Sequence, residues 1–208
     1  MREQLKEITK QFLQQFNDPQ IENISIPEEI ENKLISLACF IAQARTGVSR
    51  DRYHQTVMAI PEAEGPARLT KQLWTMGAGI AIVQGKKEID DAVYKILTRI
   101  AINSLPRHRN SILKTMFESL IMSSVWEHTK AIGKLIATPT ETVKRYLEDL
   151  WMLGLVARQV EGEDDDDDAW KTKRVPYGWQ LSKSAIELIE SSEIYLFNAE
   201  NLPKDAEI

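Results

Sequence analysis

The chain has 208 residues, of which 43% are apolar and 27% charged, so a packed globular core is expected. No stretch approaches the ~18 consecutive apolar residues of a membrane span, and the N-terminus lacks the apolar core of a secretory signal. The single cysteine, Cys39, excludes an intramolecular disulfide and is predicted to be a buried structural thiol. These features predict a cytoplasmic protein without a membrane partner.

The formal net charge of −5 is unevenly distributed along the chain. The first 104 residues carry 13 basic and 13 acidic side chains, so residues 105–208 carry the whole acidic excess. Glu161, Glu163 and the five aspartates Asp164–Asp168 supply seven of the acids in that half. Nucleic-acid-binding proteins usually carry a basic excess, so the bulk charge does not favour such a function.

Periodic apolar residues predict that the first half is a bundle of helices. The expected helices are residues 2–17, 25–46, 66–83 and 88–103. Ser25 and Glu28 have capping-box spacing at the start of the second helix. Gly77 and Gly79 interrupt the third helix, where a glycine costs roughly 1 kcal/mol relative to alanine. They indicate either a close approach to a neighbouring helix or a break.

The most informative part of the second half is EHTKAIGKLIATPTETVKRYLEDLWMLGLVAR, residues 127–158. It predicts two helices joined by a tight turn at 137–139, with Thr140 as the N-cap of the second helix and Gly154 as its C-terminal cap. The apolar positions expected to face a core are Ile132, Leu135, Ile136, Val143, Leu147, Leu150 and Trp151. Two strands, 155–160 and 173–181, and a closing helix, 182–191, are expected to follow.

This pattern resembles the winged helix-turn-helix of bacterial and archaeal regulators, in which a motif close to I-x-x-L-x-x-T-x-x-T-V-x-x-x-L-x-x-L-x-x-x-G-L-V recurs. The matching residues are Ile132, Leu135, Thr142, Val143, Leu147, Leu150, Gly154, Leu155 and Val156. The resemblance covers about residues 105–192 and implies a preceding helix, 107–119, and a two-stranded β wing. The expected fold is therefore mainly α: an N-terminal helical domain, 1–104, a winged helix-turn-helix domain, 105–195, and a tail, 196–208.

In such a fold the second helix of the pair can enter the major groove of DNA. The residues that the resemblance assigns to double-stranded DNA are Thr140, Thr142, Lys144, Arg145, Lys171, Lys173 and Arg174. Glu141, Glu148 and Asp149 dilute this positive charge, and winged helices also act as protein-interaction modules, since a fold does not determine a function. The run Asp164–Asp168 is expected at the tip of the wing, where it would be repelled by phosphates.

Residues 65–92, GPARLTKQLWTMGAGIAIVQGKKEIDDA, resemble the small helical lid of AAA+ ATPases, particularly the Holliday-junction branch-migration motor and replication initiators. In those lids an arginine in the first turn of a helix, called sensor 2, reaches the nucleotide phosphates, and a winged helix follows directly. The matching residues are Gly65, Pro66, Arg68, Gly85, Ile89, Asp90 and Val93. The resemblance implies that Arg68 lies near a nucleotide, while Arg50 and Arg52 form an exposed basic surface. The alternative is that Arg68 is an ordinary surface arginine.

Several kinds of active site are missing from the sequence. The chain has no phosphate-binding loop of the form G-x-x-x-x-G-K-[ST]. His54, His108 and His128 lie far apart, and none has a second ligand at metal-binding spacing. No nucleophile, base and orienting partner occur together. We therefore predict a protein that is not an enzyme and has neither a cofactor nor a metal.

Three functional hypotheses follow from the sequence. The first is a DNA-binding module, the C-terminal lid and DNA-reading part of an AAA+-like protein, with double-stranded DNA and a parent ATPase core as partners. The second is a free-standing transcription regulator that forms a homo-oligomer through an apolar face on residues 2–17 or 27–46. The third is a winged-helix module that binds another protein and no DNA.

Overall fold

The protein was analysed as a computed structural model that describes residues 2–14, 21–53, 57–59, 62–122, 126–160 and 177–196. The helices are α1 (Arg2–Gln14), α2 (Glu28–Arg45), α3 (Pro66–Val83), α4 (Asp91–Asn103), α5 (Arg107–Met122), α6 (Thr129–Leu135), α7 (Thr140–Met152) and α8 (Lys183–Ser192). The strands are β1 (Glu127–His128), β2 (Val156–Val160) and β3 (Tyr177–Leu181). The described chain is therefore mainly helical with a small antiparallel sheet, which confirms the predicted mainly α class.

The four helices of the first half lie close to where the sequence predicts them, but α2 and α4 each begin three residues late. The N-cap of α2 is Pro27, and no side chain caps this helix. The backbone of Ser25 pairs instead with the segment before α4: its N–H donates to the Lys87 carbonyl at 3.1 Å, and its carbonyl accepts from the Ile89 N–H at 2.9 Å. The predicted capping box is therefore wrong, because a long-range backbone bridge holds Ser25.

Helix α2 is the centre of the hydrophobic core. Its side chains Leu34, Leu37, Phe40 and Ile41 are fully buried, and it packs against α3, α4 and α8. The Tyr94 hydroxyl of α4 donates to the Ser192 carbonyl at the end of α8 at 2.7 Å, and burial raises the pKa of this tyrosine. The sequence predicts a domain boundary at residue 104. Helix α8, which follows this boundary, nevertheless packs on α2, which precedes it.

Helices α5, α6 and α7 surround a sheet in which β3 lies between β1 and β2, antiparallel to both. Trp179 of β3 is fully buried, and its indole N–H donates to the Thr129 hydroxyl at 2.8 Å. Gly154 has a φ of +72° directly after α7, as its predicted capping position requires. A side-chain amide from α2, that of Gln43, donates to the Leu153 carbonyl at the same helix end.

Two members of the predicted core stripe lie at the surface. Leu135 at the end of α6 is exposed, and so is Trp151 in the last turn of α7. The guanidinium carbon of Arg158 lies 4.1 Å from the Trp151 ring centre and 4.7 Å from that of Tyr177. The prediction that Trp151 joins the apolar core is therefore wrong, because a cation–π contact covers its ring instead.

The two glycines inside α3 have different surroundings. A Cβ at Gly77 would lie 2.9 Å from Leu97 Cδ1 and 3.0 Å from Ile89 Cδ1, so α3 closely approaches the middle of α4 and the segment before it. A Cβ at Gly79 would have no heavy atom within 4 Å. The sequence offered a close helix approach or a helix break as the reason for these glycines. The close approach applies to Gly77. Neither reason applies to Gly79, since α3 continues without a break through this residue.

We expect Gly79→Ala to stabilise the protein by up to about 1 kcal/mol, because alanine loses less backbone entropy in a helix. Gly77→Ala has the same helical preference, but its methyl group must displace Leu97 and Ile89, and such overpacking costs about 1–3 kcal/mol. Urea unfolding followed by circular dichroism measures both free energies of unfolding. Equal values for the two variants would contradict the close contact at Gly77.

Candidate nucleic-acid interface

The second helix of the predicted pair, α7, begins after a tight turn. Ala137 has a φ of 50°, in the left-handed region, and the Thr138 N–H donates to the Gly133 carbonyl at 2.9 Å. The N-cap is Pro139, and no side chain caps the helix. The prediction that Thr140 is the N-cap is therefore wrong, because Thr140 is the first residue inside the helix.

One face of α7 is partly exposed to solvent. Glu141, Lys144, Arg145 and Glu148 recur at helical spacing and therefore share this face. Arg145 and Glu141 are exposed, whereas Lys144 and Glu148 are half-buried. Thr140 is exposed at the start of the same helix, and Thr142, one turn before Arg145, is half-buried. Four predicted DNA-contacting residues thus lie together in the N-terminal half of α7: Thr140, Thr142, Lys144 and Arg145.

Arg50 is not the exposed basic residue that the sequence predicts. Its side chain is 12% exposed and lies against α7. Its Nε and Nη2 donate to Asp149 Oδ1 at 2.8 and 2.6 Å, and Nη2 also donates to the Arg145 carbonyl at 3.1 Å. The Glu148 carboxylate lies 3.4 Å from the same guanidinium. Arg50 therefore neutralises acids of α7 rather than forming a basic surface of its own.

Asp149 also binds a second arginine. Nη2 of Arg109, in the first turn of α5, lies 3.3 Å from Asp149 Oδ2, and its Nη1 donates to the carbonyls of Ala44 and Thr46 at 3.1 and 2.6 Å. The Arg109 and Asp149 side chains are only 7% and 10% exposed. Arg109 therefore ties the start of α5 to the end of α2 and to α7.

We call Arg50, Arg109 and Asp149 the Asp149 cluster. It joins three parts of the chain: the loop after α2, the start of α5 and the last turns of α7. Its two guanidinium groups balance the carboxylates of Asp149 and Glu148. Two of the three acids that dilute the positive charge of α7, Glu148 and Asp149, are thus paired. The N-terminal half of the helix retains Glu141 against Lys144 and Arg145.

The loop after α2 forms a short hairpin beside α7. Arg50 and Val57 form an antiparallel bridge, and the Met58 N–H donates to the Ser49 carbonyl at 3.0 Å. Arg52 is exposed, as predicted, and Tyr53 is 85% exposed. We call the two described segments of this loop, residues 49–53 and 57–58, the α2 hairpin; residues 54–56 lie outside the described residues.

The surroundings of Arg68 do not resemble a phosphate site. The arginine lies in the first turn of α3, its side chain is 76% exposed, and the Glu64 carboxylate lies 3.7 Å from its guanidinium. Glu64 also pairs with Arg45. An open polar depression nearby is lined by Arg45, Thr46, Gly47, Glu62, Glu64 and Ser104. The exposure of Arg68 and the carboxylate of Glu64 beside it favour the alternative interpretation as a surface arginine.

The basic root of the wing, Lys171, Lys173 and Arg174, and the acidic run Asp164–Asp168 lie outside the described residues. The strands on either side of this segment are described. They pair antiparallel from Val156 opposite Leu181 to Val160 opposite Tyr177. Residues 161–176 therefore connect two paired strands, and this is the position that the sequence predicts for a wing.

Helix α1 carries an apolar stripe that does not join the core. Leu5, Ile8 and Phe12 are exposed at the helical spacing that the sequence shows. The stripe of α2 is buried beneath α3, α4 and α8. Of the two faces that the sequence offers for a homo-oligomer, only the face on α1 therefore lies at the surface.

Within the ranges that the structure describes, no group of three or more histidine, cysteine, aspartate or glutamate side chains could hold a metal ion. None of the helices in those ranges combines the length and the apolarity that a bilayer crossing needs. Comparison of the chain with protein-family models, curated proteins and solved structures finds no significant match. Its function is therefore inferred from the geometry of its own residues.

Sequence reasoning missed the Asp149 cluster, although one signal for it exists. Arg109 lies three, four and seven residues before Ile112, Leu113 and Met116, which form the buried stripe of α5. An arginine in phase with a core stripe needs a buried acceptor. The sequence shows this need, but it does not show which carboxylate meets it.

We expect Asp149→Asn to destabilise the protein by about 3 kcal/mol, because it leaves the buried Arg109 and the largely buried Arg50 without a full counter-charge. Glu148→Gln is the matched control: its carboxylate is 31% exposed and 3.4 Å from Arg50, so its loss is expected to cost less than about 1 kcal/mol. Urea unfolding compares the two variants. Equal losses of stability would contradict the conclusion that the buried carboxylate of Asp149 contributes more to stability than the partly exposed carboxylate of Glu148.

Proposed function

We propose that this protein binds double-stranded DNA through a winged-helix unit formed by residues 107–192, with α7 as the helix that enters the major groove. The order of elements supports this proposal: α5, the short strand β1, the pair α6 and α7, then β2 and β3 joined by a long connection, and α8. The observation that carries it is the open N-terminal half of α7. That half presents Thr140, Thr142, Lys144 and Arg145 together with Glu141, on a helix whose remaining acids, Glu148 and Asp149, pair with arginines.

The chemistry of this surface suits duplex DNA. The major groove is about 12 Å wide and accepts one helix, whose N-terminal residues reach the base edges. The positive end of the α7 dipole and the free N–H groups of its first turn favour a phosphate. Lys144 and Arg145 supply charge for the phosphates or for a guanine edge, while Thr140 and Thr142 supply hydroxyl groups.

The acidic net charge does not oppose this function. Charges further away than the Debye length, about 8 Å at physiological ionic strength, are largely screened, so the local balance on α7 decides the affinity. Arg50 and Arg109 remove Glu148 and Asp149 from that balance. The expected repulsion from Asp164–Asp168 would still weaken DNA contacts near the tip of the wing. Helix α7 would therefore make most of the favourable contacts with DNA.

The lid-like character of the first half supports a wider proposal, that the DNA-binding unit is the C-terminal part of an AAA+-like protein. Two local features are compatible with this proposal: α3 and α4 lie on either side of a turn at Gly85, whose φ is 69°, and the Asp90 carboxylate caps α4 by accepting from the Val93 N–H. Lys86 and this N–H hold the pKa of Asp90 below its usual value. A parent ATPase core would then be the partner of this half.

We expect Lys144→Ala/Arg145→Ala to weaken binding to a short duplex at least about tenfold at low salt, because two cationic contacts are lost. The charge-matched control is Lys95→Ala/Arg99→Ala on α4, which packs against α2 and α3; its affinity should stay near that of the wild type. Fluorescence anisotropy with a labelled duplex, repeated over a range of salt concentrations, measures both. Wild-type protein that fails to bind at low salt would overturn the proposal and favour a protein-interaction module.

A further inference from the structure

The guanidinium of Arg158 lies against the faces of two aromatic rings where the last turn of α7 meets the sheet. Its central carbon is 4.1 Å from the ring centre of Trp151 in α7 and 4.7 Å from that of Tyr177 at the start of β3. The Tyr177 ring also makes an edge contact with the fully buried Trp179, with 5.9 Å between the ring centres. We call Trp151, Arg158 and Tyr177 the aromatic stack, which is anchored to the core through Trp179.

The aromatic stack lies on the same side of α7 as a residue that the proposed function assigns to DNA. Trp151 follows Lys144 by seven residues, which is two helical turns, so the two side chains project from one face of the helix. Trp151 is 39% exposed and Arg158 is half-buried, so the stack reaches the protein surface. The face of α7 that carries Lys144 therefore continues through the stack onto β2.

The chemistry of a stacked guanidinium suits a phosphate. The rings of Trp151 and Tyr177 contact the flat faces of the Arg158 guanidinium, whereas its five N–H donors lie in its plane and point outward from its edge. Stacking therefore preserves the planar fork and restricts the rotation of a long side chain. Less conformational entropy is then lost when the fork binds two phosphate oxygens, and bidentate contacts of this kind are among the strongest hydrogen bonds in proteins.

The position of the stack along α7 matches the edge of a major groove rather than its floor. Seven residues of α-helix span about 10 Å, whereas the major groove is about 8.5 Å deep. When Lys144 reaches into the groove from the N-terminal half of α7, Trp151 lies about level with the sugar–phosphate backbone at the edge of the groove. The guanidinium stacked on Trp151 is then beside phosphates rather than bases.

We infer that Arg158, held in place by Trp151 and Tyr177, binds a phosphate of the DNA strand that borders the groove entered by α7. The inference rests on the proposed function and extends it to a residue of β2. Arg158 makes the contact, and the two aromatic side chains are positioning residues. Because the rings hold the guanidinium by its flat faces, the contact depends on the planar shape of the group as well as on its charge.

Three substitutions in the full chain separate the charge of Arg158 from its shape. We expect Arg158→Ala to bind a labelled duplex about three- to tenfold more weakly at low salt and to lower the slope of log affinity against log salt by about 1. Arg158→Lys keeps the charge without the planar fork, and Trp151→Leu keeps the arginine without one of its rings. Both should lose about two- to threefold in affinity with the slope of the wild type.

The losses should be equal for two duplexes of unrelated sequence, because a phosphate contact carries no base information. Arg99→Ala, which removes one exposed charge from α4, is the control for a change in net charge. Thermal unfolding followed by circular dichroism gives the midpoint of each variant, and affinities are compared well below the lowest midpoint. A loss of affinity under those conditions is a loss of contact rather than of folded protein.

The Arg158 contact is overturned if Arg158→Ala loses no more affinity than Arg99→Ala, or if Arg158→Lys binds like the wild type. The proposed function survives either result as long as Lys144→Ala/Arg145→Ala still weakens binding. If the wild-type protein does not bind duplex DNA at low salt, both proposals fail, and a carboxylate of a protein partner becomes the better explanation of the stacked arginine.

Discussion

The carboxylate of Asp149 is the contact on which the arrangement of this protein depends. It lies almost out of solvent between Arg50 and Arg109, and Arg109 also binds two carbonyls at the end of α2. Burying charges costs several kcal/mol per ion, so such a cluster persists only where the geometry satisfies its members. The cluster is specific to one arrangement, because sliding α7 by one residue would remove Asp149 from both arginines. It therefore sets the position of α7 relative to the helical half.

This constraint also shapes the electrostatics of the proposed DNA interface. In an acidic chain, a helix with three acids beside two cations is a poor partner for phosphates. Pairing Glu148 and Asp149 with arginines from elsewhere leaves the N-terminal half of α7 with an excess of positive charge. Arg50 neutralises these acids and also holds the α2 hairpin beside α7. One set of contacts therefore determines both the charge of the helix and the position of the hairpin. The packing of α8 on α2 then holds the two halves together through apolar contacts.

Local patterns in the sequence predicted much of the architecture. The bounds of α3, the buried stripe Val143, Leu147 and Leu150, the cap at Gly154 and the pairing of β2 with β3 all follow from periodicity and turn chemistry. The errors arise where tertiary contacts prevail over local preference: Ser25 pairs with Lys87 and Ile89, and Trp151 meets Arg158. The Asp149 cluster was beyond prediction because its members lie 40 and 99 positions apart, and nothing local selects one carboxylate among many. The DNA-contacting residues on α7 and in the wing remain predictions.

The most direct measurement is a titration of isotope-labelled protein with a short duplex, followed through backbone amide NMR signals. The 23.8 kDa chain is within the range of the method. If α7 reads DNA, the largest shifts at low salt will lie at residues 140–145, and they will diminish as salt is added. Shifts confined to α1 or α3, with 140–145 unchanged, would contradict the account.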